Sequence, residues 1–489
     1  MNNSLENLKS AYREYLSTLS IGCLRSVGRM NGVEQATLKT KADLVERFIS
    51  VLTGEIPPAK KSKRGAPVKD KYVNPLVFEK LQQIKMTYLA SLPAPDSVSG
   101  EAPNVIKVRD SSDRTPPYYD REVYCGQLGR INGVPCLLPL SGREGTEERI
   151  VVSEAVLRSC DLRQGDIVSC RAERVQAALI ASEVLTVNEL PLGTERPVFE
   201  KCRAEIPEGK VSLFGKGAPV SMKYVDWLVP FGLGQRYLIA GAAKTGKTSF
   251  LLDFARAFSA NHPEIKLFIL LLDRPPEAVS EFTEAAPGAQ IVSATYDDDA
   301  NFQLFMADFM LGRAKRFAES GYDVVMLVDS LDALTRAYRE AEETETEALP
   351  EKGLNCAASR RIRQFFGSAR RLKRAGSLSV VATVSCGSGN GADDFVAGEL
   401  LSVASAVLFL DGDLAADRVY PAVDVRRSAS DHSELLFGKE EMKTDAAARR
   451  YLSAKGKEAL AKRISSAGTR EDFAASLSAG AARSRQSDE

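Results

Sequence analysis

The sequence predicts a multidomain chain whose largest part is an α/β core, a parallel sheet covered by helices on both faces. Three observations predict it. Residues 236–254, RYLIAGAAKTGKTSFLLDF, run from a short apolar strand through a glycine-rich turn into a helix. Residues 323–330, DVVMLVDS, read as an apolar strand that ends on a carboxylate. The runs KLFILLLD (266–273) and SLSVVATV (377–384) are continuously apolar rather than alternating, as expected of strands buried on both sides.

Gly241 to Thr248 spell the full G-x-x-x-x-G-K-T phosphate loop. In such a turn the backbone N–H groups and the helix N-terminus converge on phosphate oxygens. Lys247 is then expected to reach the β- and γ-phosphates and Thr248 to face Mg²⁺. A buried strand ending in aspartate is often plain core. Paired with the loop upstream, Asp329 becomes the expected second metal residue, holding Mg²⁺ through water. The stretch 231–412 therefore reads as an α/β ATPase core whose ligands are ATP and Mg²⁺.

Length and composition bound the remainder. A chain of 489 residues has room for about three domains. Its 65 basic and 65 acidic residues give a net charge of +0, so any contact with a polyanion must be local. Eight scattered cysteines without a C-x-x-C pair, and only two histidines, argue against a zinc site or a disulfide framework and for a reducing, cytoplasmic setting. No run of about 18 apolar residues and no signal peptide is evident, so neither membrane insertion nor export is expected.

In chain order, residues 1–55 form a helical module, and KADLVERF (41–48) resembles the small nucleic-acid-touching SAP type. A plain helical spacer is the alternative. Residues 56–117 are a linker: PPAKKSKRGAPVKDK (57–71) is lysine-rich among prolines and cannot bury a core. It serves either as a salt-sensitive phosphate contact or as a solubilising tether. Residues 118–195 carry short apolar runs such as RIVVS (149–153) broken by turns such as INGV (131–134) and RQGD (163–166). That spacing suits a five-stranded, oligonucleotide-binding (OB)-like barrel. Its expected binding face, 127–140, has no aromatic residue on which a base could stack. Only Tyr118, Tyr119 and Tyr124 could substitute. A connector (196–228), the ATPase domain (229–438) and C-terminal helices (439–489) complete the chain.

Several stretches together resemble the family of bacterial transcription termination factors called Rho. They include LRQGDIVS (162–169), VPFGLGQRYLIAGAAKTGKTSFLLDFA (229–255), VDSLDALTRAY (328–338), RQFFGSARRLKRAGSLSVVATV (363–384) and DRVYPAVDVRRS (417–428). The resemblance implies a RecA-like P-loop ATPase that forms a hexameric ring, binds RNA, hydrolyses ATP between subunits and dislodges RNA polymerase. It places Gly241, Lys244, Thr245, Gly246, Lys247 and Thr248 at the nucleotide, Tyr420 against adenine, and Thr248 and Asp329 at the metal.

Departures from the family pattern fall together. Where the family has a water-aligning glutamate and then an arginine after Asp273, this chain has Arg274 and Pro275. An arginine stays protonated and cannot be a general base. At the place of the arginine finger stands Asp431, with Arg426 and Arg427 nearby as substitutes. At the place of the family's RNA-facing loop stands an acidic stretch, 339–353, carrying Glu340, Glu342, Glu343, Glu345, Glu347 and Glu351, which either opposes a phosphate backbone or is a plain solvated helix, and Gly391 stands at the place of an RNA-contacting lysine. No catalytic residue is therefore assigned. The favoured expectation is a nucleotide-binding relative that acts in termination or its regulation, through RNA and through RNA polymerase or a genuine Rho, as a homo- or hetero-hexamer with impaired hydrolysis. An active RNA-dependent translocase and a nucleic-acid-binding scaffold are the alternatives.

Overall fold

The computed structural model describes residues 2–21, 24, 40–53, 81, 84, 123–143, 149–175, 178–215, 217–343, 356–387, 389 and 391–486. They fall into two compact units, Met1–Thr194 and Glu195–Glu489. The basic linker run, Tyr118, Tyr119 and most of the acidic stretch lie outside the described residues.

In the first unit, helices Asn2–Thr18 and Lys41–Leu52 bury Leu8, Tyr12 and Leu16 against Leu44, Val45, Phe48 and Ile49. The i, i+4 spacing of these residues puts them on one face of each helix. Thr40 caps the second helix by accepting from the Asp43 N–H, and an Arg13–Glu46 bidentate pair at 2.6 and 3.1 Å ties the two helices.

The rest of this unit is a small barrel. Strands β1 (Val123–Ile131), β2 (Val134–Leu138), β3 (Ile150–Val151), β4 (Ile167–Val175) and β5 (Ala178–Val187) are followed by the short β6 (Leu190–Pro191). Antiparallel pairings β1–β2, β2–β3, β1–β4 and β4–β5, with the parallel pair β3–β5, close the first five strands into a ring. The INGV turn forms as expected: Asn132 and Gly133 both take positive φ, +50° and +82°, as a two-residue hairpin loop between right-twisted strands requires. The RQGD turn is locked by Asp166, which accepts from the Arg163 N–H at 2.7 Å and from Asn188 Nδ2 at 2.7 Å. Tyr124 packs partly into the barrel core.

The second unit is built on a sheet of order β10-β9-β11-β13-β8-β14-β15. It comprises β8 (Arg236–Gly241), β9 (Lys266–Leu272), β10 (Gln290–Ala294), β11 (Asp323–Asp329), β13 (Ser377–Ser385), β14 (Ala406–Phe409) and β15 (Ala429–Ser430), with β12 (Arg370–Leu372) paired to β13 and β7 (Ala204–Glu205) paired to β12. All neighbours from β10 to β14 are parallel, so their C-terminal ends share one edge. The continuously apolar runs are these central strands, buried along nearly their whole length. The strand order reverses beside β8, and the crevice at such a reversal, past the strand C-termini, is where open α/β sheets hold ligands. Helix Lys247–Asn261 packs Phe254 and Phe258 against Phe231 and Tyr237, which anchors the end of the glycine-rich loop.

The C-terminal helices Lys439–Lys455, Lys457–Ser466 and Arg470–Gln486 belong to this same unit. Trp227, the single tryptophan, stacks on Phe473 with ring centroids 5.2 Å apart. Glu441 accepts from Lys210 Nζ at 2.8 Å, from the Gly438 N–H at 2.8 Å and from Arg470 at 2.5 Å. Burial alone would raise its carboxyl, but these bonds and the Lys210 and Arg470 charges hold it below the usual value of 4.5. A carboxyl depressed on folding adds stability above its unfolded value, and that addition is lost as the pH falls through the folded value. Glu441→Gln is therefore expected to weaken this unit at neutral pH, and the difference from wild type to close progressively below pH 4.5. Urea unfolding followed by Trp227 emission at neutral and acid pH checks this.

Candidate functional site

The glycine-rich loop leaves β8 at Gly241 and enters its helix at Lys247. A side chain at Gly241 would meet Thr245 Oγ1 at 2.8 Å and Leu410 Cβ at 2.9 Å. Gly246, the N-cap, sits at φ +95°, a conformation that disfavours any residue with a Cβ. Thr245 is buried and its hydroxyl donates to the Ala242 carbonyl at 2.9 Å. Lys247 Nζ donates to the Gly241 and Ala242 carbonyls at 2.9 and 2.8 Å, reaching back across the loop. Burial lowers the proton affinity of that ammonium and the nearby Arg274 charge adds to the effect, while Asp332 and Asp329 oppose it. Lys244 stands exposed on the loop at φ +62°.

The structure brings Tyr420 to this loop from far along the sequence. A methyl group built on Gly246 would lie 3.9 Å from Tyr420 Cε1, and the ring is half exposed. The result is an open aromatic face beside the phosphate loop, suited to stacking on a flat ring.

Asp329 is the last residue of β11 and is fully buried. Thr248 Oγ1 donates to its Oδ2 at 2.9 Å, so the two residues expected at the metal are in direct contact. Thr383, from β13, donates to Oδ1 at 2.6 Å. Arg274 Nη2 donates to the same Oδ1 at 2.5 Å. Register explains the last contact: β9 and β11 run parallel with Leu271 opposite Asp329, so the chain leaving β9 passes over the carboxylate. Asp273 turns it there at φ +55°, with its own carboxylate accepting from Arg336 at 2.7 Å. Sequence reasoning excluded Arg274 as a base but missed this pairing. Only the polar Thr383 inside an apolar run hinted that β13 served the same carboxylate.

A divalent cation at this place needs carboxylate and hydroxyl oxygens turned toward it. Here Asp329 Oδ1 already accepts from Thr383 and Arg274, and that permanent guanidinium charge competes with a divalent ion for the carboxylate. The donors expected for Mg²⁺ are thus assembled, yet as arranged they do not fit a divalent ion. Arg274 also keeps one donor in reserve: its Nε is buried with no hydrogen-bond partner, a condition that costs about 1–3 kcal/mol until an acceptor arrives.

Asp332, which sequence reasoning also missed, lies one turn beyond Asp329. Burial raises its carboxyl, and the Ser385 bonds and Lys247 charge pull it back. Both of its oxygens accept from the Ser385 N–H, at 3.2 and 2.9 Å, which ties it to the end of β13.

Asp431 lies elsewhere. Its N–H donates to the Ser405 carbonyl, and the Ser405 N–H donates to the Arg236 carbonyl at the start of β8. About five residue steps of strand, roughly 17 Å, separate that end from Gly241. With Gln235, Arg236, Arg370 and His432 it borders a cavity of about 270 Å³. Asp431 therefore cannot serve its own phosphate loop. Arg427, one of the two substitutes, is stacked on Phe409 with its guanidinium carbon 4.0 Å from the ring centre. Of the acidic stretch, Arg339–Glu343 continue helix Leu331–Glu343 and the rest lies outside the described residues. Gly391 opens helix Gly391–Leu401. No helix among the described residues is long and apolar enough to cross a membrane.

Fold and site together define an α/β P-loop ATPase domain, and residues 221–430 match the nucleotide-binding domain of the ATP synthase alpha/beta family. The chain is 32% identical over 321 residues to a transcription termination factor Rho of Bacillus subtilis, covering 65% of this chain and 74% of that protein. To a transcription termination factor Rho of Streptomyces coelicolor it is 36% identical over 320 residues, covering 64% and 75%. A solved ATPase from the type III secretion system of pathogenic bacteria overlays at TM-score 0.49 and 18% identity, over 61% of this chain and 94% of that one. The chain belongs to the transcription termination factor Rho family.

Proposed function

We propose that this protein is a Rho-family ATP-binding protein of the cytoplasm that acts in transcription termination or its regulation, gripping a nucleoside triphosphate while cleaving it poorly. The observation that carries this reading is the Arg274–Asp329 contact. The position where the family keeps a water-aligning glutamate holds a cation locked onto the buried carboxylate.

In this reading Gly241, Lys244, Thr245, Gly246 and Lys247 bind the phosphates through loop amides and ammonium groups. Thr248 and Asp329 order the far wall, and Tyr420 stacks on the base. The ring of β1 to β5 acts as an OB-type domain and the helical pair before it as a SAP-type module, both offered to RNA. Tyr124 is half-buried, so base stacking on that barrel is weak and RNA contact leans on charge. Subunits assemble as a hexamer, alone or mixed with a genuine Rho, and in that ring Asp431 faces a neighbour's site, where its charge opposes the negative charge developing on phosphate. Through that assembly the protein reaches RNA polymerase.

RNA-stimulated phosphate release, measured for the purified protein alone and mixed with authentic Rho, tests the proposal. The expected result is nucleotide binding with turnover near background, and altered Rho turnover on mixing. Brisk RNA-stimulated turnover by the protein alone would refute it.

A further inference from the structure

The two residues a divalent metal would use, Thr248 and Asp329, bond to each other, and the side chain that completes their surroundings is itself a cation. Arg274 donates to Asp329 Oδ1 at 2.5 Å, Thr383 donates to the same oxygen at 2.6 Å and Thr248 to the other at 2.9 Å. The side chain is part-buried, and its buried Nε–H has no acceptor within the protein. An arginine carries five donors in a rigid fork and matches phosphate oxygens as readily as carboxylate. Lys247, a second cation of the pocket, is close enough to Arg274 for their charges to interact. A pocket with cations at Arg274 and Lys247, the first seated on the metal-facing carboxylate, has charge for a polyphosphate and a guanidinium where a metal would be drawn.

We propose that Arg274 supplies, as a fixed part of the chain, the positive charge that a divalent metal brings to related sites, so that this pocket takes a nucleoside triphosphate without its metal. The inference rests on the reading of the loop as a nucleotide site. It goes beyond that reading by assigning Arg274 as a binding residue and metal-free nucleotide as the ligand. Arg274 holds Asp329 through Nη2, and its fixed charge beside Lys247 serves the phosphate. The site then discriminates against the metal complex, because a divalent ion and the guanidinium compete for one carboxylate at close range.

Binding of a fluorescent ATP analogue to the full-length protein, titrated in Mg²⁺ and again in EDTA, tests this. Wild type is expected to bind equally well or better in EDTA. Arg274→Ala is expected to lose affinity chiefly in EDTA, by about tenfold or more, since metal can then approach Asp329. Arg274→Glu is expected to bind only with Mg²⁺, and Arg274→Lys to keep metal-independent binding. Mn²⁺ added with ATP is expected to show no protein-bound signal by electron paramagnetic resonance in wild type and to show one in Arg274→Glu. A wild-type affinity that falls about tenfold or more on removing Mg²⁺ overturns the proposal while leaving the nucleotide site intact. Absence of binding in both buffers, with Lys247→Ala indistinguishable from wild type, overturns the nucleotide reading and this proposal with it.

Discussion

The double variant Arg274→Glu/Asp431→Arg is expected to hydrolyse ATP on the order of 10³-fold faster than wild type in an RNA-stimulated assay, because under the proposed function it returns the two groups phosphoryl transfer needs. Removing the Arg274 guanidinium frees Asp329 Oδ1, now held at 2.5 Å, and sets a carboxylate where a water can be oriented. Position 431 is tied to the start of β8, about 17 Å along the strand from the phosphate loop of its own chain, so in the proposed ring a guanidinium placed there is expected to act on a neighbouring copy. Each single change is then expected to recover much less than the pair. A dependence of the gain on protein concentration would mark the neighbour's part, and arginine fingers are worth about 10³–10⁵ in rate elsewhere. A double variant that stays at background while binding ATP would place the block in some other feature, with the acidic stretch 339–353 the next to change.

Lys247→Ala is expected to weaken nucleotide binding by about 30-fold or more without unfolding the domain. Loss of one partner from a buried, charge-assisted contact costs about 2–5 kcal/mol, and each step of about 1.4 kcal/mol is a factor of ten. The ammonium now bonds the Gly241 and Ala242 carbonyls at 2.9 and 2.8 Å, so its removal also loosens the loop. Isothermal titration with ATP, beside a thermal melt, checks both halves. Equal affinity in wild type and variant would mean that the loop does not hold phosphate. A melt lowered by many degrees would mean that Lys247 serves the fold instead.

The core was readable because its signals are local. A strand that is apolar on both faces, a loop with glycines where a Cβ would clash, and an aspartate closing the next strand can each be read from a few neighbouring residues. The INGV hairpin was readable for the same reason, since two adjacent residues set its backbone. The pairing of Arg274 with Asp329 was not readable in this way. It depends on β9 and β11 being neighbours in a particular register, a fact of topology that no window of sequence contains. Asp332 was passed over because three residues after Asp329 it reads as the first turn of a helix, and only the end of β13 gives its carboxylate a partner. Tyr420 was reached through family resemblance, and the fold supplied its place beside Gly246.

By itself the sequence determined that this protein has a phosphate loop on a parallel α/β core, and that Arg274 and Asp431 stand where the resemblance expects a glutamate and an arginine, because these are statements about which residue types stand at which positions. Only the tertiary structure decided what replaces them. Parallel strands bring residues 248, 274, 329 and 383 to one sheet edge, and there a side chain that looked merely inert becomes a cation bonded to the carboxylate at the heart of the site.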